Sequence, residues 1–317
     1  MATMCPCRSM LKILLTGANG MVGRNVVAHP SAQQFDWLTP GRTELDLSDL
    51  NDVVAYVDTH KPDLVIHAAG LVGGIQANMA EPARFLVDNL QVGVNLIMAC
   101  KTVGVPRVIN LGSSCMYPRA AANPLKESSV LTGELEPTNE GYALAKIVAA
   151  RLCDYISQEN AALSYKTVIP CNLYGRFDHF APNRSHMIPA VIHKLHLAKV
   201  TGASTVDIWG DGLSRREFMY AQDLADFLFY AIGHFEAMPH LINVGLGRDW
   251  SINEYYQAAS GIVGYAGEFT HDLSKPAGMK QKLVNTDLLS TFGWEAPTAL
   301  EQGLSATYQY YLDYFNE

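Results

Sequence analysis

The sequence has little charge, few cysteines and no long apolar run. Charged residues make up 17% of its 317 residues, and its six cysteines show no spacing typical of zinc sites. The net charge of −8 excludes the basic surface that non-specific nucleic-acid binding needs. The apolar stretch Leu11–Leu15 is too short for a membrane span or a signal sequence. We therefore expect a cytoplasmic protein with free thiols, no bound metal, no membrane partner and no nucleic-acid partner.

Short apolar runs alternate with amphipathic stretches of helical length in the first half of the chain. This alternation implies right-handed crossovers and a parallel sheet that is covered on both faces. The predicted fold class is α/β with a doubly wound parallel sheet. The predicted strands are Leu11–Thr16, Asp36–Thr39, Leu64–Ala68, Arg107–Leu111 and Lys166–Ile169. The predicted helices are Met21–Ala28, Leu50–His60, Ala83–Val103 and Tyr142–Glu159.

The pattern changes after Pro170. Helices are predicted near Ala190–Lys199, Ile252–Val263 and Leu300–Phe315, and Val206–Tyr220 reads as two strands around a glycine turn. We expect a dinucleotide-binding domain at 1–170, with a returning segment near 214–244. A smaller substrate lobe is expected at 171–213 and 245–317, closing over the carboxyl ends of the strands, where open α/β sheets bind ligands.

A glycine-rich turn, Gly17–Gly23, separates the first predicted strand from the first predicted helix. Glycines allow the backbone to turn tightly and to approach a pyrophosphate, which then lies at the amino end of the helix. The placement of the motif predicts a bound dinucleotide. The residues expected to contact it are Gly17, Asn19, Gly20, Met21, Val22 and Gly23, together with Tyr142 and Lys146.

The end of the second strand favours NADP over NAD. An acidic residue there binds the ribose hydroxyls of NAD, whereas a basic residue accommodates the 2′-phosphate of NADP. Here the strand leads into Arg42, about twenty residues beyond the glycines, without an acid. Arg24, inside the first helix, is placed to assist. We therefore predict NADP(H) as the cofactor.

Three residues indicate carbonyl chemistry. Tyr142 and Lys146 lie four positions apart, which puts both on one face of a helix, and Ser113 follows the strand Arg107–Leu111. An ammonium near a phenol stabilises the phenolate, so we expect Lys146 to lower the pKa of Tyr142. With Ser113 and Tyr142 donating to one substrate oxygen, hydride can reach the carbonyl carbon from a nicotinamide.

These residues resemble the extended short-chain dehydrogenase/reductase family, whose members share a Rossmann domain. Longer motifs are similar to the members that epimerise and reduce GDP-4-keto-6-deoxy-D-mannose with NADPH. Those motifs are Leu111–Pro118, Glu136–Glu140, Asn172–Gly175, Asn183–Pro189 and Trp209–Phe218.

The resemblance implies two further catalytic residues. Carbons C3 and C5 flank the 4-keto group, so enolate formation acidifies their protons. By resemblance, Cys115 is the base that removes each proton and His186 is the acid that returns one on the other face. A GDP-sugar substrate is implied, with contacts from Asn172, Met187, Lys194, Trp209, Arg216 and Lys282.

Two other functions fit part of this pattern. One is a different nucleotide-sugar epimerase or dehydratase of the same family, although a dehydratase would want an acid pair near Ser113, where this chain has Ser114–Met116. The other is a non-catalytic NADP-sensing regulator, which would not need Ser113, Tyr142 and Lys146. The resemblance and the apolar faces of helices Ala83–Val103 and Tyr142–Glu159 also predict a homodimer with a four-helix interface.

Overall fold

A computed structural model describes residues 10–181, 185–275 and 279–315. Its strands are β1 (Lys12–Thr16), β2 (Asp36–Leu38), β3 (Leu64–His67), β4 (Arg107–Leu111), β5 (Ser164–Pro170), β6 (Asn172–Tyr174), β7 (Thr205–Trp209), β8 (Arg215–Arg216), β9 (Phe218–Tyr220), β10 (Leu241–Val244), β11 (Trp250–Ser251), β12 (Glu268–Asp272) and β13 (Gln281–Lys282). Its α-helices are α1 (Met21–Val27), α2 (Leu50–His60), α3 (Ile75–Ala80), α4 (Pro82–Val103), α5 (Glu140–Glu159), α6 (Met187–Thr201), α7 (Ala221–Gly233), α8 (Ile252–Val263), α9 (Asp287–Phe292) and α10 (Leu300–Phe315).

Within the described ranges, six strands form one parallel sheet in the order β10-β5-β4-β3-β1-β2. The chain moves outward from β1 to β2 and then crosses to the other side of β1 for β3. The strand order therefore reverses between β1 and β3, and ligands bind outside the carboxyl ends of the strands at such a reversal. The predicted doubly wound fold is confirmed.

The central sheet is buried on both faces. Ile13 and Leu15 of β1 join one apolar cluster, whereas Leu14 between them joins another, because successive side chains of a strand point to opposite faces. The first cluster includes residues of α1 and α7, and the second includes residues of α2 and α4. Burial on both faces explains why these strands read as continuous apolar runs.

A third apolar cluster lies in the C-terminal part of the chain. It is built from α6, α8 and α10 together with short strands, and it is rich in tyrosine. The predicted helices Ile252–Val263 and Leu300–Phe315 are observed with those bounds. Helix α6 begins at Met187 rather than near Ala190. Pro189 does not delay it, because proline is tolerated in the first turn, where amides lack intrahelical partners.

The stretch Val206–Tyr220 forms strands around a glycine turn, as predicted, but its second strand is divided. Gly210 and Gly212 have φ values of +72° and +70°, which only glycine adopts readily. Beyond them, β8 pairs with β11 and β13, whereas β9 pairs with β6. The single residue between β8 and β9 is Glu217, so the chain changes sheets at that position.

Candidate active site

The turn after β1 has no room for side chains at two glycines. A Cβ on Gly17 would lie 2.6 Å from the backbone nitrogen of Ala69, and one on Gly23 would lie 2.3 Å from the carbonyl oxygen of Gly17. The Gly20 amide donates to that same carbonyl at 3.0 Å. The turn thus offers bare backbone at the ligand-binding edge of the sheet, which is what a dinucleotide pyrophosphate requires.

The other residues predicted for the cofactor lie around this turn. Asn19 is exposed at its tip, and Arg42 is exposed in the loop that follows β2. The guanidinium of Arg24 lies 4.0 Å from the ring centre of Phe177, so that ring covers part of it. Met21 and Val22, the first two residues of α1, are half-buried.

Tyr142 and Lys146 lie one turn apart in α5, as their spacing predicts. The ammonium nitrogen of Lys146 lies 5.8 Å from the ring centre of Tyr142 and donates to the carbonyl of Leu111 at 2.9 Å. Ser113, two residues beyond that carbonyl, forms a hydrogen bond with the Tyr142 side chain. The fold therefore brings serine, tyrosine and lysine together at the carboxyl end of β4.

The expectation that Lys146 lowers the pKa of Tyr142 is wrong for this structure. Burial raises the pKa of Tyr142 well above its ordinary value, the charge of Cys115 raises it further, and the hydrogen bond with Ser113 only partly offsets both. Burial also lowers the pKa of Lys146, to about 8. Desolvation dominates because the low-dielectric surroundings disfavour the charged form of each group. Tyr142 is therefore a protonated phenol at neutral pH.

The sulfur of Cys115 receives two hydrogen bonds. Asn139 Nδ2 donates at 3.2 Å and Lys282 Nζ donates at 3.5 Å. Two donors thus point at this sulfur, which acts as a base or nucleophile in its ionised form. Sequence reasoning predicted Lys282 for the nucleotide sugar and did not select Asn139. The signal for Asn139 was its place in the stretch Glu136–Glu140, directly before the tyrosine helix.

His186 is the residue that precedes α6, with an extended backbone. Burial lowers the pKa of His186, and the nearby charge of His179 acts in the same direction. No hydrogen bond among the described residues joins His186 to Cys115. Of the motif Asn183–Pro189, the first two residues lie outside the described ranges. Met187, the second residue predicted here, begins the helix.

The remaining substrate residues are distributed over β6, α6, β7 and β8. Asn172 donates to the carbonyl of Glu217 at 3.0 Å, and Trp209 is exposed. Lys194 forms an ion pair with Asp207 at 2.7 Å, so its ammonium is engaged within the chain. Arg216 lies beside Lys282 in the pairing of β8 with β13.

A cavity of about 230 Å³ has Tyr142 among its lining residues. It is lined by residues of α3, of α4, of the turn before α5 and of the start of α5, which are Asn78, Met79, Pro82, Phe85 and residues 137–142. Its volume is below the roughly 300–1,000 Å³ of typical ligand sites, so it accommodates only part of a nucleotide sugar. In the described ranges, no set of three or more His, Cys, Asp and Glu side chains is arranged to hold a metal ion. No helix there is long and apolar enough to cross a membrane.

Comparison with known proteins gives one family and several near relatives. Residues 13–245 match the NAD dependent epimerase/dehydratase family. The chain is 55% identical over 303 residues to GDP-L-colitose synthase of Yersinia pseudotuberculosis, covering 96% of this chain and 98% of that protein. It is 46% identical over 301 residues to GDP-L-fucose synthase of Azorhizobium caulinodans, covering 95% and 96% of the two chains.

A solved structure is similar over the same length. It is a GDP-mannoheptose C4 reductase from Campylobacter jejuni with NADP bound, and it is 29% identical with a TM-score of 0.88. The match covers 96% of this chain and 99% of that one. These coverages extend over the central sheet and the C-terminal apolar cluster together.

Proposed function

Because the chain belongs to the NAD dependent epimerase/dehydratase family, which is a family of enzymes, we propose that it converts GDP-4-keto-6-deoxy-D-mannose to GDP-L-fucose with NADPH, the reaction of a GDP-L-fucose synthase. It inverts C3 and C5 and then reduces C4. One observation carries the proposal: Cys115, with two donors on its sulfur, lies next to the Ser113–Tyr142 pair. A base for epimerisation and an acid for reduction thus share one site.

We propose that the turn Gly17–Gly23 holds the cofactor pyrophosphate. Its glycines fit that group, because a Cβ at Gly17 or Gly23 would collide with neighbouring backbone, so the tight turn that brings amides to a phosphate forms only without side chains there. The exposed Arg42 binds the 2′-phosphate that distinguishes NADP, and Lys146 holds the nicotinamide ribose. The NADP-bound relative supports this choice. When bound, the cofactor supplies hydride to C4 of the sugar.

Epimerisation requires a base on one face of the sugar and an acid on the other. Cys115 removes the proton from C3 and from C5, and the Asn139 amide and Lys282 ammonium stabilise its sulfur while it is ionised. His186 returns a proton on the opposite face. Ser113 and Tyr142 donate hydrogen bonds to the C4 oxygen, where the charge of the enolate develops.

Reduction requires a proton for the C4 oxygen. Tyr142 gives it, since its raised pKa keeps the phenol protonated at neutral pH.

The GDP part of the substrate requires cations and a stacking surface. Arg216 contacts the diphosphate, and exposed Trp209 stacks on guanine. Lys194 joins them only if the diphosphate replaces Asp207 as its partner. We propose that Asn172, Met187 and Lys282 contact the sugar. This assignment treats 171–213 and 245–317 as the substrate lobe, and 1–170 with 214–244 as the cofactor domain.

A second candidate is the synthesis of GDP-L-colitose. The 55% identity to a GDP-L-colitose synthase supports it. Colitose is the 3-deoxy counterpart of fucose, so C3 then carries no stereocentre and only C5 needs inversion. The same base, acid and reductase residues serve both reactions, and the difference lies in whether the site accepts a hydroxyl at C3.

One experiment tests both candidates. Purified protein is incubated with GDP-4-keto-6-deoxy-D-mannose or its 3-deoxy counterpart, and with NADPH or NADH, and the sugar products are identified by NMR. GDP-L-fucose formed with a preference for NADPH is the expected result. Faster turnover of the 3-deoxy sugar favours the colitose reaction. Reduction without inversion removes Cys115 and His186 from the mechanism, and cofactor binding without turnover favours a sensor.

We also propose a cytoplasmic homodimer, joined through α4 and α5. Leu144, Val148 and Tyr155 are exposed along one face of α5, and Val87 is exposed on the neighbouring helix α4. A second copy would cover these apolar side chains and make a four-helix interface. Sedimentation at micromolar concentration should give the dimer mass, and Val148→Asp should shift it to the monomer. A monomer in the wild-type protein would refute this assembly.

A further inference from the structure

Glu217 is a carboxylate that the proposed reaction does not use. It lies between β8 and β9, where the chain passes from one small sheet to another, and only 1% of its surface is accessible. Charged side chains are almost never buried to this extent without partners. The groups that contact this carboxylate therefore indicate its role.

Three backbone amides donate to this carboxylate. The amides of Leu246 and Gly247 donate to Oε1 at 2.6 and 2.9 Å, and the amide of Val284 donates to Oε2 at 2.8 Å. A Cβ at Gly245 would lie 2.5 Å from Oε1, so the loop approaches the carboxylate closely. Glu217 thus connects the β10–β11 loop and the segment after β13 to its own strand pair.

The segment that Glu217 holds also carries Lys282. Lys282 pairs with Arg216 in the sheet register and donates to Cys115 Sγ at 3.5 Å. On its other side, the Leu283 amide donates to Asn123 Oδ1 at 2.8 Å. The segment therefore crosses from the C-terminal part of the chain to the loop that follows β4, and Glu217 fixes its C-terminal side.

We propose that Glu217 is a positioning residue that holds β13 in the register that places the Lys282 ammonium on the Cys115 sulfur. The inference rests on the proposed function for its catalytic consequence, but the Lys282–Cys115 contact itself does not depend on any substrate. Glu217 acts through Lys282 and touches no reacting atom.

The chemistry of the three amides explains why the residue is glutamate. A glutamine would turn an N–H toward either Val284 or the Leu246–Gly247 pair, so one set of donors would lose its acceptor. An aspartate is one methylene shorter and cannot reach both sides. Burial raises the pKa of Glu217 to about 7, and Asp249 adds to the rise, whereas the three amides oppose it. Cys171 and Tyr255 also face this carboxylate.

The test compares Glu217→Gln with Glu254→Gln. Glu254 also accepts a backbone amide, that of Ser251, but it caps α8 and does not touch β13. Solvent-deuterium incorporation into the keto-sugar reports on Cys115, and reduction of the already epimerised sugar reports on Tyr142. We expect E217Q to slow deuterium incorporation on the order of 10- to 100-fold and to change reduction much less. E254Q should change neither.

A substrate-free measurement completes the test. Iodoacetamide alkylation of Cys115 at pH 7 is followed by mass spectrometry in the wild type, E217Q, Lys282→Met and the double variant. Lys282→Met removes the ammonium, and E217Q should move it away from the sulfur, so alkylation should slow in both single variants. The double variant should be no slower than Lys282→Met alone. Glu217→Asp, which keeps the charge, gives the same comparison if E217Q does not fold.

Two results would overturn the inference. One is wild-type alkylation of Cys115 in E217Q or Glu217→Asp, and the other is an additive loss in the double variant. If the wild-type protein converts neither sugar, the proposed function fails. The alkylation rates would still decide whether Glu217 positions Lys282.

Discussion

The two sides of the candidate site are built in different ways. On one side, Ser113, Tyr142 and Lys146 come from the end of β4 and the first turns of α5, which pack on the same sheet. On the other side, the sulfur of Cys115 is contacted by Lys282, 167 positions later in the chain. The first set is a local motif carried by regular elements, and the second exists only because β13 reaches back to β8.

This difference predicts how substitutions on each side of the site should act. A helix fixes two side chains at a spacing of four, and neighbouring elements need only pack correctly. The contact of Lys282 with Cys115 depends on the register of a two-residue strand and on a buried carboxylate. Variants on the first side should therefore act through chemistry, and variants on the second side should act through position as well.

Tyr142→Phe should give the largest effect, because it removes the proton donor without changing the fold. NADPH consumption should fall about 1,000-fold, whereas solvent-deuterium incorporation into the sugar should fall much less. Absorbance at 340 nm and mass spectrometry of the sugar measure the two steps. Tyr314→Phe, at an exposed position of α10, is the control. Unchanged NADPH consumption in the Tyr142 variant would remove the phenol from the reaction.

Cys115→Ser tests the other side of the site. A serine hydroxyl is a far weaker acid than a thiol, so deuterium incorporation should fall about 100-fold. Reduction of the already epimerised sugar should continue. Cys153→Ala, which deletes a buried thiol of α5, should leave both steps unchanged. Full fucose formation by the Cys115 variant would exclude this residue as the base.

The pH dependence of the unfolding free energy should reveal the burial of His67, a residue of β3 near Lys146. Burial lowers the pKa of His67 to about 3, and the charge of Lys146 adds to the shift. The unfolded chain takes up a proton near pH 6.5 whereas the folded chain does not, so stability falls as the pH drops below 6.5. Between pH 6.5 and 5, this histidine should cost about 2 kcal/mol of unfolding free energy.

Urea unfolding of the wild type and of His67→Gln at both pH values measures this cost. The variant should show a smaller loss of stability on acidification. His240→Gln, at an exposed position, should behave as the wild type does. An unchanged pH dependence in the His67 variant would contradict the burial of a neutral imidazole beneath the site.

Arg42→Ala should give the smallest effect, since its guanidinium is exposed and its proposed partner is only the 2′-phosphate end of the cofactor. The ratio of kcat/KM for NADPH over NADH should fall about tenfold, which corresponds to one surface ion pair with the 2′-phosphate. Arg119→Ala, another exposed arginine, should leave the ratio unchanged. A preference for NADH in the wild type would refute the cofactor assignment.

Much of the fold was predictable because its signals are local. The strands near Leu11, Leu64 and Arg107 are apolar runs between turns, and burial on both faces of a parallel sheet produces such runs. The start of α6 was predicted late because Pro189 looks like a boundary, although the first turn of a helix accepts proline. The division between β8 and β9 had no signal, since it depends on partners in distant strands.

The sign of the Tyr142 pKa shift could not be predicted from spacing. The four-residue offset gives the distance to Lys146, but it does not give the dielectric around the phenol. Desolvation and the charge of Cys115 raise this pKa more than the hydrogen bond with Ser113 lowers it, and both follow from how α5 packs on the end of β4. For the same reason, the motif Trp209–Phe218 contains Glu217 but gives no indication of its role.

The sequence by itself determined the parallel sheet, the glycine turn and the Ser113–Tyr142–Lys146 set, because each is marked by short patterns of neighbouring residues along the chain. The tertiary structure alone decided which groups contact the Cys115 sulfur, how strongly Tyr142 holds its proton and what Glu217 binds. These depend on burial and on contacts between residues 24 to 167 positions apart in the chain, and a linear pattern carries no information about either.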